Sequence, residues 1–301
     1  MARPLRQRRQ LALLLASGLL ACQQANEFAG IGPRPCTITA PPRDLPHDVW
    51  ETSGLALSRR IPGVIWTHND SGNEPVLYAL DSAGAIIARV RVTGAELIDW
   101  EDIAAGPCDT GTCLYIGDIG DNSARRDSIS IYVVPEPSLS DTVTLPATVL
   151  YARYPTRPQD AEALFVLPPG DIYVITKGRR DSIAVYRYPK TVQHPGGTTW
   201  LEQVRTLGPK PHSGMDRVTG ASATSDYRWV AIRTYRSLLL YSTTGLLADS
   251  APKLTADLGS LHEFQGEGVA VSDSGTVWLS TEGEDEAPRF SRLTCPLVPA
   301  G

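Results

Sequence analysis

The sequence lacks several motifs that identify enzymes and metal-binding domains. It contains no GxSxG, so a serine nucleophile of the α/β-hydrolase kind is not indicated. None of its five cysteines stands in a CxxC with a nearby histidine, which argues against a zinc site. Basic residues are outnumbered by acidic ones, with 28 Lys and Arg, only four of them Lys, against 33 Asp and Glu. The sequence shows no cluster of basic residues that would form a basic face. Phosphate-backbone binding needs such a face, so we expect no nucleic-acid partner.

The apolar run near the start of the chain is too short to span a bilayer, which takes about 20 residues. Four arginines precede it and it stops at Cys22, which is typical of a secretory signal in residues 1–21. The letters LLAC resemble a bacterial lipobox, in which Cys22 receives diacylglycerol and anchors the chain in the cell envelope; a plain secretory signal is the alternative. Residues 22–35 are predicted to form a tether. Removal of residues 1–21 takes away four Arg and no acidic residue, which changes the net charge from −5 to −9.

The remaining cysteines predict two disulfides. With Cys22 lipidated, an even set of four is left in an exported chain. The turn CDTGTC can be closed by Cys108 and Cys113, and by elimination Cys36 pairs with Cys295. That second bond would tie the start of the mature domain to its end.

Five related segments recur along the chain at intervals of roughly 45 to 60 residues, a period found in repeat architectures. Each forms a short apolar strand and runs into a turn. They are ETSGLALS (51–58), WEDIAAG (100–106), DAEALFVL (160–167), VTGASATS (218–225) and QGEGVAVS (265–272). Second and third strands follow each segment, and weaker fourth strands follow the first four. Such units are typical of a β-propeller.

We predict an all-β, five-bladed β-propeller that forms a single domain over residues 36–301 and is a monomer. The fifth unit has no fourth strand, so CTITA at 36–40 is expected to supply it and close the ring. Closure would bring Cys36 beside Cys295, in agreement with the predicted disulfide. A six-bladed ring with a further blade in 123–160 or 190–217 is the main alternative.

The first strands of a propeller line its channel and begin at the mouth where the second strands end. Alignment of the units puts five residues at one ring position: Ser53, Glu101, Glu162, Thr219 and Glu267. Closely packed carboxylates repel one another unless a cation neutralises them. The candidate Ca²⁺ ligands are therefore Glu101, Glu162 and Glu267, with Asp118 and Asn69 from the ends of second strands. Hydrogen bonding to the backbone of a neighbouring blade is the alternative role for the glutamates.

Catalytic groups are predicted at the same mouth. Lys177 and Arg233 lie at second-strand ends and would hold an anionic group such as phosphate or carboxylate. His68 is the candidate general acid or base, with a hydrogen-bonded structural histidine as the alternative. The segments HNDSGN (68–73) and GDIGDN (117–122) suit either a tight turn or a calcium loop, although neither matches the EF-hand pattern.

The chain resembles secreted bacterial β-propeller proteins of the phytase-like and esterase-like type. The similar units are WTHNDSGNEPVLYALD, DWEDIAAG with LYIGDIGDN, DAEALFV with DIYVITKG, and GEGVAV with VWLSTEG. Propeller phytases and paraoxonase-type lactonases carry calcium in the channel and use it to polarise a phosphate or ester. The resemblance thus implies Glu101, Glu162, Glu267 and Asp118 as ligands, while Ser53 and Thr219 depart from the acidic pattern.

Three functions follow as expectations. The first is an exported, lipid-anchored propeller that binds Ca²⁺ and hydrolyses a phosphate or carboxylic ester of a small anionic substrate. The second is a non-catalytic envelope lipoprotein whose face binds a protein or glycan partner. The third is a glycosidase, with Trp50, Trp66 and Trp100 as sugar platforms beside two channel carboxylates; burial of these tryptophans within the blades is the alternative.

Overall fold

The structure, a computed structural model, describes residues 36–109 and 111–297, which form β-strands with few helical turns. The predicted signal peptide (1–21), the lipidation site Cys22 and the tether (22–35) lie outside these residues. Within the described ranges, no helix is long and apolar enough to cross a membrane. The α-helix α1 is short and covers Thr243–Leu247.

The strands are numbered here in chain order. They are β1 (Thr37–Asp44), β2 (Thr52–Leu57), β3 (Ile65–Asn69), β4 (Val76–Leu80), β5 (Ile86–Arg91), β6 (Trp100–Cys108), β7 (Gly111–Asp118), β8 (Ile129–Pro135), β9 (Thr148–Arg153), β10 (Ala161–Leu167), β11 (Asp171–Thr176), β12 (Ile183–Tyr188), β13 (Thr198–Trp200), β14 (Glu202–Gly208), β15 (Val218–Ala223), β16 (Trp229–Thr234), β17 (Ser237–Ser242), β18 (Leu254–Asp257), β19 (Gly266–Val271), β20 (Thr276–Thr281) and β21 (Arg289–Thr294).

Hydrogen bonding groups these strands into five sheets, and each sheet is one blade of a β-propeller. From the channel outward the blades are β2-β3-β4-β5, β6-β7-β8-β9-β13, β10-β11-β12-β14, β15-β16-β17-β18 and β19-β20-β21-β1. The innermost strands contact one another in the order β2, β6, β10, β15, β19 and back to β2, so they close a ring. The five-bladed prediction is confirmed. Segments 123–160 and 190–217 supply outer strands of the second and third blades rather than a sixth blade.

The N-terminal strand closes the ring, as the repeats predict. Strand β1 pairs antiparallel with β21 as the outermost strand of the fifth blade. The disulfide Cys36–Cys295 joins the two strands at one end, with 4.2 Å between the Cα atoms. The second predicted disulfide, Cys108–Cys113, links the β6–β7 hairpin. Both bonds indicate an oxidising, exported environment.

The apolar core consists of five clusters, one between each pair of neighbouring blades. Neighbouring blades therefore pack face to face, because each sheet buries both of its faces and exposes only its outer strands to solvent. Trp66 and Trp100 are fully buried between the first and second blades. Burial of these two tryptophans within the blades, the alternative to sugar platforms, is confirmed, and aromatic rings buried in the core cannot stack on a polysaccharide.

Candidate functional site

Each innermost strand carries a β-bulge at one mouth of the channel. In all five blades the register with the second strand slips by one residue, as where Trp100 and Asp102 face Asp118 and Gly117. The extra residue lies at or next to the predicted ring position: Ser53, Glu101, Glu162, Thr219 and Glu267. A bulge re-aims the side chain of the extra residue. The repeat seen in the sequence thus marks the same bulge in every blade. At Ser53 and Thr219 the hydroxyl donates to the backbone carbonyl of Glu101 and of Glu267 in the next blade, so these two side chains connect neighbouring blades.

This end of the channel, called the acidic mouth below, is crowded with carboxylates. Six of them form no ion pair with any described residue: Glu51, Asp70, Asp99, Glu101, Glu267 and Glu282. Another carboxylate at this mouth, Glu162, forms an ion pair with Lys177. A group of like charges in a buried setting favours either protonation or a bound cation.

Three of these carboxylates, from two blades, meet closely. One carboxylate oxygen from each of Asp70, Asp99 and Glu101 lies within 4.8 Å of the other two. Glu101 is only 5% exposed, and no described residue donates a hydrogen bond to its carboxylate. A Cβ at Gly120 would overlap Glu101 Oε1 and Asp99 Oδ2, so a larger residue there would displace these two carboxylates. The carboxylate oxygens of Glu101 keep a small contact with solvent, but a largely buried carboxylate beside two others is favoured by a ligand that supplies positive charge, which makes the cluster a candidate cation site.

The electrostatics of the cluster suit a bound cation. Burial raises the pKa of Asp99 to about 6 and that of Glu101 well above its usual range, and neighbouring carboxylates add to both shifts. A bound cation would reverse these shifts. Three carboxylate oxygens this close together could hold a hard divalent cation, since Ca²⁺ and Mg²⁺ both take oxygen ligands.

Asp118 and Asn69, both predicted as ligands, lie beside the cluster rather than in it. Asp118 forms an ion pair with Arg126 at 2.7 Å and accepts a hydrogen bond from the backbone N–H of Asp99 at 3.2 Å. It thus holds in place the loop that carries Asp99. Asn69 donates to the carbonyl of Asp48 at 2.9 Å, while its buried Oδ1 has no partner among the described residues.

Lys177 lies at the acidic mouth, but it is already paired. Its Nζ is 2.6 Å from Glu162 Oε1, and both side chains are buried. It also lies 5.9 Å from the ring centroid of Tyr235, whose hydroxyl donates to Glu267 at 3.2 Å. Burial raises the pKa of Glu162, and the ammonium group of Lys177 acts against this rise. An incoming anion would therefore compete with Glu162 for Lys177.

Arg233 and His68 have no access to solvent. Arg233 is ion-paired with Glu263 and donates to the carbonyls of Gly268 at 2.8 Å and Ser280 at 2.9 Å, so it braces the fourth blade against the fifth. His68 is fully buried and meets Trp100 edge to face. Burial lowers the pKa of His68 to about 4, which keeps the ring neutral at physiological pH. Direct contact of either residue with a substrate would require the blades to move.

Two further carboxyls at the mouth hold protons near neutral pH. Burial raises the pKa of Glu267 and of Glu282 to about 8 each. Glu267 Oε2 is buried without a hydrogen-bond partner among the described residues. Glu282 is partly exposed and accepts a hydrogen bond from Gln265. Glu282 can thus present a protonated carboxyl to a molecule bound at the mouth.

Asp102, next to Glu101, was not among the predicted site residues. It is fully buried, and its carboxylate accepts backbone N–H bonds from Ile103 at 2.8 Å, Leu164 at 2.8 Å and Ala221 at 3.0 Å. These donors belong to three different innermost strands, so one side chain connects three of the five blades inside the channel. Burial raises the pKa of Asp102, and the three donors act against this rise. The sequence contains a sign that this residue is special, because the other four units carry Gly or Ala at the aligned position.

Comparisons with known proteins add little to this picture. No model of a protein family matches the chain, and no curated protein matches it. Similar solved structures include aldose sugar dehydrogenase from Streptomyces coelicolor in its PQQ-bound form, with 10% identity, 88% of this chain and 100% of that chain covered and a TM-score of 0.46. A gluconolactonase from Xanthomonas campestris has 12% identity, coverage of 89% and 99% and a TM-score of 0.45. The Dos1 propeller has 12% identity, coverage of 76% and 53% and a TM-score of 0.38. No activity carries over at such distances.

Proposed function

We propose that the protein binds Ca²⁺ at the acidic mouth through Asp70, Asp99 and Glu101 and hydrolyses a phosphate or carboxylic ester there. The observation that carries the proposal is the buried carboxylate of Glu101, which has no donor of its own and lies within 4.8 Å of two other carboxylate oxygens. Lipid anchoring at Cys22 is part of the proposal and would hold this mouth at the cell envelope.

The chain offers residues for such a reaction. Bound calcium would supply a Lewis acid for the phosphoryl or carbonyl oxygen and would neutralise the mouth. Lys177 would exchange Glu162 for an anionic group of the substrate, because its Nζ is already oriented at the mouth by a 2.6 Å contact. Burial, and after it the Asp70 carboxylate, raises the pKa of Glu282; with Asp70 neutralised by calcium the part that comes from burial would remain, and Glu282 would donate a proton to the leaving oxygen.

A second function is a non-catalytic module in which calcium only stabilises a face that binds an envelope protein or glycan. The observation in its favour is that the predicted catalytic residues are engaged elsewhere. Arg233 is paired with Glu263, and His68 is fully buried. In this case the cation would replace missing hydrogen bonds and perform no chemistry.

The experiment that tests the cation site is the melting temperature of metal-stripped protein with and without millimolar calcium. At 100 times the dissociation constant a ligand stabilises the fold by about 2.7 kcal/mol, which corresponds to roughly 5 °C for a domain of this size. Glu101→Gln should abolish the rise. Glu96→Gln is the matched control, because Glu96 is exposed and nearby in sequence but outside the cluster. A rise that persists in Glu101→Gln would refute the site.

Hydrolysis is tested separately on p-nitrophenyl phosphate and p-nitrophenyl acetate. Calcium-dependent turnover that Lys177→Met reduces supports the enzyme. Calcium stabilisation without turnover of either ester favours the non-catalytic module.

A further inference from the structure

The channel has a second mouth, at the end opposite the acidic mouth, and this mouth contains a cavity of about 410 Å³. All five innermost strands contribute to its walls through mainly apolar or small side chains. Examples are Leu55, Ala105, Val166, Ala223 and Val271. Asp102 lies between the two mouths, where its carboxylate accepts hydrogen bonds from three innermost strands. The carboxylates of the acidic mouth are not among the residues that line this cavity.

Arg59 is the one basic residue among the described residues that line the cavity. Its Nε donates to the carbonyl of Ala105 in the second blade, and its Nη2 donates to the carbonyls of Ala223 and Thr224 in the fourth, all at 3.3 Å. The guanidinium also stacks on Tyr227, with 4.8 Å to the ring centroid. The charged group is therefore fixed across the cavity, and its Nη1 has no acceptor among the described residues.

The nearby carboxylates do not pair with this guanidinium. Glu136 is taken up by the side chains of Ser58 and Trp66. Asp273 accepts from the backbone and hydroxyl of Ser225. Arg59 itself forms no ion pair with any residue that the structure describes; burial lowers its pKa, and the carboxylates of Asp273 and Glu136 act against this without touching the guanidinium. The cavity thus holds a fixed, partly desolvated cation whose Nη1 is in direct contact with no carboxylate among the described residues.

We propose that this cavity binds a small organic acid, with the carboxylate on Nη1 of Arg59 and an apolar body against the strand walls. The fixed cation supplies charge complementarity, and the guanidinium fork suits a carboxylate. The volume is within the range of about 300–1,000 Å³ usual for small-molecule sites. The apolar walls explain why the acid should carry a hydrocarbon body rather than be an inorganic anion. The site is independent of the calcium proposal.

The test is isothermal titration of the whole protein with 4-phenylbutyrate in the presence of EDTA, which removes any contribution from metal at the acidic mouth. We expect saturable binding with a Kd below 1 mM, which corresponds to a binding free energy more favourable than about −4 kcal/mol. The neutral analogue 4-phenylbutan-1-ol should bind at least tenfold more weakly. Arg59→Met should also weaken binding of the acid at least tenfold. Arg60→Met is the matched control, because Arg60 is exposed and outside the cavity, and it should leave binding unchanged.

A second variant tests the cavity independently of Arg59→Met, which loses three hydrogen bonds to the backbone and could weaken binding by misfolding. Ala223→Leu keeps the cation and fills part of the cavity, so it should lower affinity for the acid and for the alcohol alike. Equal affinity for acid and alcohol, an equal loss in Arg60→Met, or no binding at millimolar acid would each overturn the proposal.

Discussion

The carboxylate of Asp102 should be among the most sensitive points of the fold. Replacement by alanine removes the acceptor of three backbone N–H groups, those of Ile103, Leu164 and Ala221, from the centre of the channel. Replacement by asparagine keeps one oxygen, which can accept from Leu164 and Ala221 together, but turns an NH₂ group toward the N–H of Ile103. The two substitutions therefore differ in how many donors they leave without an acceptor.

The expected losses follow from that difference. A buried donor without an acceptor costs about 1–3 kcal/mol. The loss of stability in Asp102→Ala is therefore at most the cost of three such donors. Water that enters the vacated space would reduce this loss by satisfying some of them. We expect the free energy of unfolding to fall by about 3–5 kcal/mol in Asp102→Ala and by about 1–2 kcal/mol in Asp102→Asn. The larger loss corresponds to roughly 10 °C in Tm.

The assay is urea unfolding monitored by tryptophan fluorescence, at one pH and with EDTA present. Asp127→Ala serves as the control, because Asp127 is an exposed acidic residue that forms no ion pair with any described residue. A loss under 1 kcal/mol in Asp102→Ala, or equal losses in the alanine and asparagine variants, would show that the N–H groups do not depend on this carboxylate.

Three further predictions concern other parts of the ring. Gly54→Ala should cost about 1–3 kcal/mol in urea unfolding, because its Cβ would overlap strand β6; a neutral result would mean that the strands can move apart. Cys36→Ser with Cys295→Ser should cost about 4 kcal/mol by freeing the ends of the chain, and an unchanged thermal midpoint would contradict this. Burial raises the pKa of Glu267 and Glu282 to about 8 from 4.5, so folding takes up protons between these values. The contribution of these two groups to the stability of the metal-free protein is therefore fully present below pH 4.5 and is lost as the pH rises toward 9. Urea midpoints that rise from pH 6 to pH 9 would refute the shifts.

The fold was accessible from the sequence because each blade repeats the same signals. Short apolar runs bounded by turn residues locate the strands, and the lack of a fourth strand after SRLTC points to β1 as its replacement. Strand β13 was not predicted. It has three residues and pairs in parallel with β9, a contact between segments about 50 positions apart that leaves no local pattern.

The candidate site was accessible only in part. Repeat alignment places Glu101 at the mouth, but it favours Asn69 and Asp118 over Asp70 and Asp99 as its neighbours. The difference arises because Asp70 and Asp99 lie just outside the strands, where loop conformation decides the direction of a side chain and period-two alternation does not apply. Ion pairing of Asp118 with Arg126 is likewise a contact that spacing does not encode.

The bulge in β6 explains why two adjacent carboxylates can serve the same channel. In a regular strand Glu101 and Asp102 would point to opposite faces, and one of them would enter the apolar core between blades. The slip in register, in which Trp100 faces Asp118 and Asp102 faces Gly117, interrupts that alternation. Glu101 then joins the carboxylates at the mouth while Asp102 reaches the backbone of three strands below it. Removing the bulge by deleting one residue would therefore damage the proposed cation site and the hydrogen bonds of Asp102 together, whereas Glu101→Gln should affect only the first.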